Sequence, residues 1–295
     1  MDLDLDAIAA ERFKDNPCRG IVIGMNEAGK VLQIPWMMGR SDNSRNRVYV
    51  LDEDDEGGRL RTRGYDESKI KDPHLVIYTA MRASNEKRGK RTVHVVGNGD
   101  QVDTFVNRLN SQPFEAKVLF GQAMRERYCE PDPSIFTSRI TGFYEASDNR
   151  AYISILRADP IAKQEWGRVA ATLLPLDENG KTAEEIEANR ESRMRQIESL
   201  TGFTRSAFPT NYQFSELLLH PSIGYCITTY RPGSKDLPVF DGEPFLVPIR
   251  GQLEEVMLQF WDCLEPAWRV GLGGKEIFPD GEYIFAAPIN RHEGR

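Results

Sequence analysis

Cysteine is sparse and scattered in this chain of 295 residues: Cys18, Cys129, Cys226 and Cys263 are the four, and no two stand in C-x-x-C spacing. That excludes a zinc ribbon or a thioredoxin-like redox motif and suits a reducing compartment, where most cysteines serve as small buried hydrophobes. The four histidines, His74, His94, His220 and His292, show no ligand spacing, so no metal hydrolase and no metal ion are expected. No apolar run approaches ~18 residues, so no membrane-spanning helix is expected. The opening Met1-Asp2-Leu3-Asp4-Leu5-Asp6 is acidic and lacks the basic start and apolar core of a signal peptide, and the protein is expected to be cytoplasmic. Glycine-rich phosphate loops are missing too: there is no G-x-G-x-x-G after a strand and no Walker A sequence. Basic excess is missing, with a formal net charge of −7. Binding to a nucleic-acid polymer draws on neutralised phosphates, so such partners are not expected, whereas a local basic pocket for a single nucleotide stays open.

What is present is an ordinary globular composition, 40% hydrophobic and 28% charged, in a chain long enough for a sizeable core without disulfide or metal staples. Residues 1–16 read as an N-terminal extension with a helix over Ile8–Phe13, and 17–295 as a single domain. Ile21–Ile23 and Val31–Ile34 flank a Gly-containing turn and predict a hairpin, followed by a short strand at Val48–Val50. The charged stretch 52–73 reads as a solvated loop, with a mobile lid as the sharper alternative. Leu75–Tyr78 and Thr92–Val96 read as a strand pair. Val102, Phe105, Val106 and Leu109 recur at helical spacing, and a second helix is expected over Phe114–Arg127. Strands are expected at Ile140–Glu145 and Tyr152–Leu156 around Ser147-Asp148-Asn149.

Thr182 and Glu185 form a capping box that opens an exposed helical insertion near 180–205. Strands at Gly224–Tyr230 and Phe245–Val247 precede an amphipathic helix from Leu253 to Leu264, stopped by Pro266. Trp268–Val270 and Tyr283–Ala287 read as the last strands. Strand runs joined by hairpins, with helices between the runs, indicate an antiparallel α+β layered fold.

Four segments are candidates for chemistry, each open to a plain structural reading as well. Gly39-Arg40-Ser41-Asp42-Asn43-Ser44-Arg45-Asn46-Arg47 packs arginine forks and short polar donors between strands, a combination suited to phosphate as well as to a plain polar loop. Tyr78 ends an apolar segment and is either a rim residue or a phenolic acid, base or donor. Gly97-Asn98-Gly99-Asp100 precedes a helix. Asp100 is a candidate N-cap, and the glycines permit close backbone approach. Tyr128-Cys129-Glu130-Pro131-Asp132 leads into Thr137-Ser138-Arg139-Ile140.

In this order, and with the wording Ser44-Arg45-Asn46-Arg47, the four segments resemble the archaeal-type IMP cyclohydrolase family and its longer bacterial members. The likeness runs from about Arg19 to Ile140. Gly224–Tyr230 and Gly242-Glu243-Pro244 add to it. The family pattern runs Tyr-Glu-Pro-Asp, and Cys129 intervenes here, so the register of Glu130 stays open by one residue.

The resemblance implies a four-layer αββα sandwich of antiparallel sheets, of the N-terminal-nucleophile-hydrolase type but without self-processing. It implies a cofactor-independent enzyme of purine biosynthesis that closes 5-formamidoimidazole-4-carboxamide ribonucleotide to inosine monophosphate. The expected partner is a small purine ribonucleotide, and the expected assembly is a homo-oligomer. By motif, Arg47, Tyr78 and Glu130 are the expected catalytic residues. Arg40, Ser41, Ser44, Arg45, Asn46, Asn98, Gly99, Asp100 and Arg139 are candidates for substrate binding. Two other readings stay open: a related cyclase or amide hydrolase acting on another ribotide or purine-like substrate, and a non-catalytic nucleotide-binding protein.

Overall fold

The structure is a computed structural model that describes residues 4–13, 18–39, 41–54, 57–70, 73–84, 92–133, 135–174, 179, 181–229 and 243–293. The chain opens with helix α1 (Leu5–Arg12), capped by the Asp4 carboxylate. The hairpin β1 (Arg19–Met25) and β2 (Val31–Met38) turns through Gly29, whose φ of 75° suits glycine. A single turn, α2 (Asp42–Arg45), leads into β3 (Arg47–Asp54) and β4 (Gly57–Gly64). Another turn, α3 (Pro73–Val76), precedes β5 (Thr79–Ala83) and β6 (Val93–Gly97). Helices α4 (Gln101–Ser111) and α5 (Ala116–Arg125) follow, then β7 (Arg139–Glu145) and β8 (Arg150–Ala158). Helices α6 (Pro160–Leu173) and α7 (Ala183–Thr201) lead to β9 (Thr210–Leu217), β10 (Ile223–Thr228) and β11 (Phe245–Pro248). Helix α8 (Leu253–Cys263) and the strands β12 (Arg269–Ile277) and β13 (Tyr283–Asn290) complete it.

The strands form two sheets with antiparallel pairing between neighbours: β11-β10-β1-β2-β12-β13 and β3-β4-β5-β6-β7-β8-β9. Alternating side chains fill the space between them with Ile21, Ile23, Met37, Tyr49, Leu60, Met81, Ile140 and Ile153. Helices cover the outer faces. Phe13, which follows α1, and Met257, Phe260 and Trp261 of α8 pack on Val22, Ile34, Trp36 and Leu272 of the six-stranded sheet. Phe105, Leu119 and Phe120 of α4 and α5 pack on Val95, Phe143 and Tyr152 of the seven-stranded one. The result is the expected α+β sandwich. Glycine lets the sheets approach: a Cβ on Gly273 would lie 2.2 Å from Leu60. Among the described residues no helix is long and apolar enough to cross a membrane.

Three expectations need correction. Most of the 52–73 stretch is not a loop: β4 pairs with β3 in register, Asp52 opposite Arg59. Leu60 and Thr62 point inward with no exposure, while Arg59 and Arg61 both reach Asp52 on the other face. A strand with a charged face and only one large apolar residue on its inner face gives little hydrophobic signal, so it reads as solvated loop.

Leu75–Tyr78 is not a strand either. Pro73 opens a helical turn, and the strand starts only at Thr79. Thr62 explains the break. Its hydroxyl donates to the Val76 carbonyl at 2.7 Å and accepts from the Tyr78 N–H at 2.8 Å, so a side chain replaces part of the ladder. The register slips between Leu60 and Arg61 at the same point, an irregularity of the kind that re-aims a side chain beside a site.

Third, Asp100 stands at the N-cap position of α4 without capping it. Its carboxylate pairs with Arg127 and Arg139 instead.

Helix α6 and strand β9 had no counterpart in the sequence reading. The charged helix α7 opens on the expected capping box, and its one apolar edge, Met194 and Ile197, is buried. With Trp166 and Phe208 it packs under Cys129 and Phe136. Phe136 has φ of 50°, rare for an aromatic residue, and its ring stacks on Phe208 at 3.8 Å. The helix pair thus props the loop from Tyr128 to Ser138 from below.

Candidate active site

One end of the inter-sheet layer gathers the start of β1, the start of β3, the break before β5, the β6–α4 turn and the loop 128–138. Arg19, the first residue of β1, is at its centre. Its guanidinium is buried, donates to the Asn98 carbonyl at 3.0 Å and forms a short ion pair with Glu130. It also lies over the Tyr78 ring, 5.9 Å from the centroid. Burial opposes the charge, but Glu130, Cys18 and Tyr78 hold Arg19 well above its ordinary value. Each of the two buried groups is the other's counter-charge, and removing either would leave an uncompensated one.

Glu130 is presented by its loop. Its N–H donates to the Thr137 carbonyl at 2.8 Å, and Thr137 in turn donates through N–H and hydroxyl to Asp132. Burial, then the neighbouring Glu130, pushes Asp132 up to about 6 against the pull of the Thr137 bonds and Arg19. Of the residues around the open register, Glu130 faces Arg19, Cys129 is buried in the small core below, and Tyr128 is exposed.

Arg47 and Tyr49 share one face of β3 by alternation. Arg47 is buried. It donates to the Ser44 carbonyl at 2.8 Å and the Met38 carbonyl at 3.4 Å, which fixes its guanidinium across the end of α2. Tyr49 is next to Tyr78. Burial, then Tyr78, raises the Tyr49 phenol well above its ordinary range, while Arg47 and Arg19 pull the other way. The hydroxyl of Tyr78 is buried and has no hydrogen-bond partner among the described residues. Two guanidinium groups, a carboxylate and two phenols are thus buried in one region of low dielectric, where donors act more strongly on developing charge than they would in water.

The remaining sequence candidates form a shell with partners of their own. Ser41 and Ser44 build the capping box of α2, and their hydroxyls lie 3.0 Å apart. Arg45 pairs with Asp42 at 3.0 Å and lies over Trp268. The Asn46 amide bonds the Asp66 backbone in both directions at 2.8 Å, tying the turn after β4 to the loop. Asn98 accepts from the Ile140 N–H and from Gln101, and donates to the Ser138 carbonyl. Gly99 makes room for Arg139, whose Nη1 would lie 2.4 Å from a Cβ there. Arg139 pairs with Asp100 and donates to the Tyr128 carbonyl at 2.9 Å. Arg40 and Gly242 fall outside the described residues.

The structure therefore brings Arg47, Tyr78 and Glu130 to one place, and adds Arg19, Tyr49 and Asp132, which sequence reasoning passed over. An arginine opening an otherwise apolar strand was the available signal for Arg19. Tyr49 gave none, since a tyrosine in a strand is ordinary core. Among the described residues no group of three or more His, Cys, Asp or Glu side chains is placed to hold a metal ion.

The chain matches the family described as IMP cyclohydrolase-like protein over residues 17–272, most of its length, and belongs to that family. No match is found among curated proteins.

Proposed function

We propose that this member of the IMP cyclohydrolase-like family closes the pyrimidine ring of 5-formamidoimidazole-4-carboxamide ribonucleotide to give inosine monophosphate and water. The observation that carries this reading is the buried, unpartnered hydroxyl of Tyr78 beside the Arg19–Glu130 pair. A buried phenol left without a partner costs stability unless something completes it, and a substrate oxygen would.

The reaction is intramolecular. The carboxamide nitrogen forms a bond to the formyl carbon, and the formyl C=O becomes C–OH. The proton lost by that nitrogen is balanced by one gained at the oxygen. The C–O bond then breaks, and the hydroxyl departs as water with the proton of the former formamide nitrogen.

Tyr78 gives the proton to the oxygen and is restored by the one leaving nitrogen. Arg47 and Arg19 stabilise the negative charge that builds up on that oxygen. Glu130, held by Arg19, orients the carboxamide N–H. Rigid placement counts for much here, since holding two groups of one molecule in a near-attack arrangement removes a large part of the barrier. The arginine loop, with Arg40, Ser41, Ser44 and Arg45, takes the phosphate and ribose, with Asn46, Asn98, Gly99, Asp100 and Arg139 around the rim.

The test is to mix purified protein with the formamidoimidazole carboxamide ribotide, without added metal or cofactor, and follow the product by absorbance. Turnover is expected, and Tyr78→Phe or Arg47→Ala should each lower kcat by ~100-fold or more. Tight binding of the ribotide without turnover would favour a nucleotide sensor, and turnover of a different ribotide a sister cyclase. Neither binding nor turnover would remove the reading.

A further inference from the structure

The arginine loop is held from outside by residues far along the chain. The Gly39 N–H donates to the Trp268 carbonyl at 2.9 Å, and the Arg45 guanidinium lies over the Trp268 ring. At the other end of the loop the Tyr65 N–H donates to the Asn46 carbonyl at 3.2 Å. The third hold is His292. Its Nε2 is 2.8 Å from the Arg45 carbonyl, and its ring stacks on Tyr65 with centroids 4.2 Å apart and planes 12° from parallel. A carbonyl only accepts, so Nε2 carries the proton and donates.

This bond answers a local need. Helix α2 is a single turn, and the last carbonyls of a helix have no partner inside it. Arg47 takes the Ser44 carbonyl, and His292 takes the Arg45 carbonyl from 247 positions further along the chain. A basic side chain donating to the end of a helix is a favourable cap. His292 is itself well placed, as the middle residue of the closing turn Arg291–Glu293. Arg291 donates to the Ala267 carbonyl at 2.9 Å. Asn290 Nδ2 donates to the Tyr49 carbonyl at 2.9 Å and to the Glu293 carboxylate at 3.0 Å. The turn is thus fixed to β3 and to the segment before β12. It lies beyond residues 17–272, which match the family.

We infer that His292 is a positioning residue for the phosphate end of the substrate: it latches the arginine loop in its binding form, through the Arg45 carbonyl and the Tyr65 ring. This rests on the reading that the loop takes phosphate and ribose. Without the bond the end of α2 loses a cap, and the ligand itself must order Ser41, Ser44 and Arg45, which weakens binding. The reacting groups are held from elsewhere: Arg19 and Glu130 by each other, Tyr78 by Thr62. The effect therefore falls on affinity rather than on the chemical step.

The test is calorimetric titration of inosine monophosphate into the parent, His292→Phe and His292→Gln, with the thermal midpoint of each recorded. Phenylalanine keeps an aromatic ring against Tyr65 and removes the donor. Glutamine restores an N–H near the position of Nε2 without the ring. His292→Phe should weaken the monophosphate by ~5–10-fold, the scale of one lost hydrogen bond. The dissociation constant of inorganic phosphate, read by its displacement of the monophosphate, should rise by the same factor. His292→Gln should return to within about threefold of the parent. In turnover His292→Phe should raise KM with kcat within about threefold, the pattern of lost uniform binding. Equal affinities in the parent and His292→Phe overturn the inference. So does a loss that glutamine leaves unrepaired or that phosphate does not share, since a purely structural role gives either. Should His292→Phe not fold, Tyr65→Leu removes the stack alone and should weaken the monophosphate about threefold. An unchanged affinity there overturns the inference. A parent that binds the monophosphate without turning over the ribotide loses the proposed reaction and leaves the latch to these titrations. A parent that binds no monophosphate loses both.

Discussion

Arg19 and Lys275 are both basic side chains buried in the layer between the sheets, and the fold treats them in opposite ways. They lie about 13 Å apart along the strands, judged from the four-residue offset between Arg19 and Ile23, the partner of Gln33, at ~3.3 Å per residue. Arg19 meets a carboxylate, a carbonyl and an aromatic face, and is held well above its ordinary value. Lys275 meets the Arg82 carbonyl at 3.4 Å and the faces of Tyr283 and Phe285, about as far from its nitrogen as a cation–π contact allows. Burial alone takes its amine well below the usual lysine range. Nearby His94 is lowered too, by burial first and then by Lys275. A buried cation with a carboxylate keeps its charge and can build an electrostatic site. One held by burial alone is pushed toward its neutral form.

The strongest way to break this contrast is Glu130→Ala. Arg19 would be left buried without its counter-charge, and urea unfolding should show a loss of about 3–5 kcal/mol. Removing both charges, as Arg19→Met with Glu130→Leu, should recover most of that stability and none of the turnover. A loss under about 1 kcal/mol in Glu130→Ala would mean that the pair does not hold the charge in place.

Lys275→Met tests the other half, and its effect has the opposite sign. Folding holds the amine below the ~10.4 of a free lysine, so the unfolded chain binds the extra proton. Wild-type stability should therefore fall as pH drops below about 10 and level off beneath the folded value. The methionine variant should lack this slope and be more stable at neutral pH by roughly 1–3 kcal/mol, since a thioether loses nothing on burial. Equal pH slopes in the two proteins would show that Lys275 stays charged.

The smallest of the three effects concerns Asp132, which adjoins Glu130 and Arg19 and is also faced by Thr137, Cys129 and by Lys163 of α6. Its folded value of about 6 lies above that of a free aspartate. The stability it contributes is thus fully present below pH ~4 and is lost as pH rises through its folded value. In Asp132→Asn this step should vanish from the stability profile, with a change on the order of 1–2 kcal/mol across the window. The turnover profile should lose its inflection near the same pH. An inflection that persists in the variant assigns the titration elsewhere.

How far the sequence could be read depended on where each element finds its partners. The β1–β2 hairpin, the β7–β8 hairpin and the apolar stripe of α8 carry their own local signals, and each formed where expected. The capping box of α7 is equally local. The misreadings all sit where a distant residue intervenes. Thr62 breaks the strand before Tyr78, and β4 gains its place from Asp52 across the turn and from the sheet behind it. Helix α6 had signals in Asp159, which caps it, and Pro160 at its first turn. Strand β9 had almost none, because its burial is partial along most of its length.

The site divides the same way. Arg47, Tyr78 and Glu130 could be named from a resemblance of motifs, because those motifs are short and contiguous. Arg19 and Tyr49 have no motif, and their meaning comes from their neighbours.

By itself, the sequence determined the alternation that makes two apolar-faced sheets, the helices that cover them and the turns that join them, because these depend on residues a few positions apart. Only the tertiary structure decided that Arg19 would meet Glu130 across 111 residues of chain and that Tyr49 and Tyr78 would share one core cluster, while Lys275 met no carboxylate among the described residues. The physical reason is that a buried charge is governed by what folds against it, and no periodicity along the chain encodes that partner.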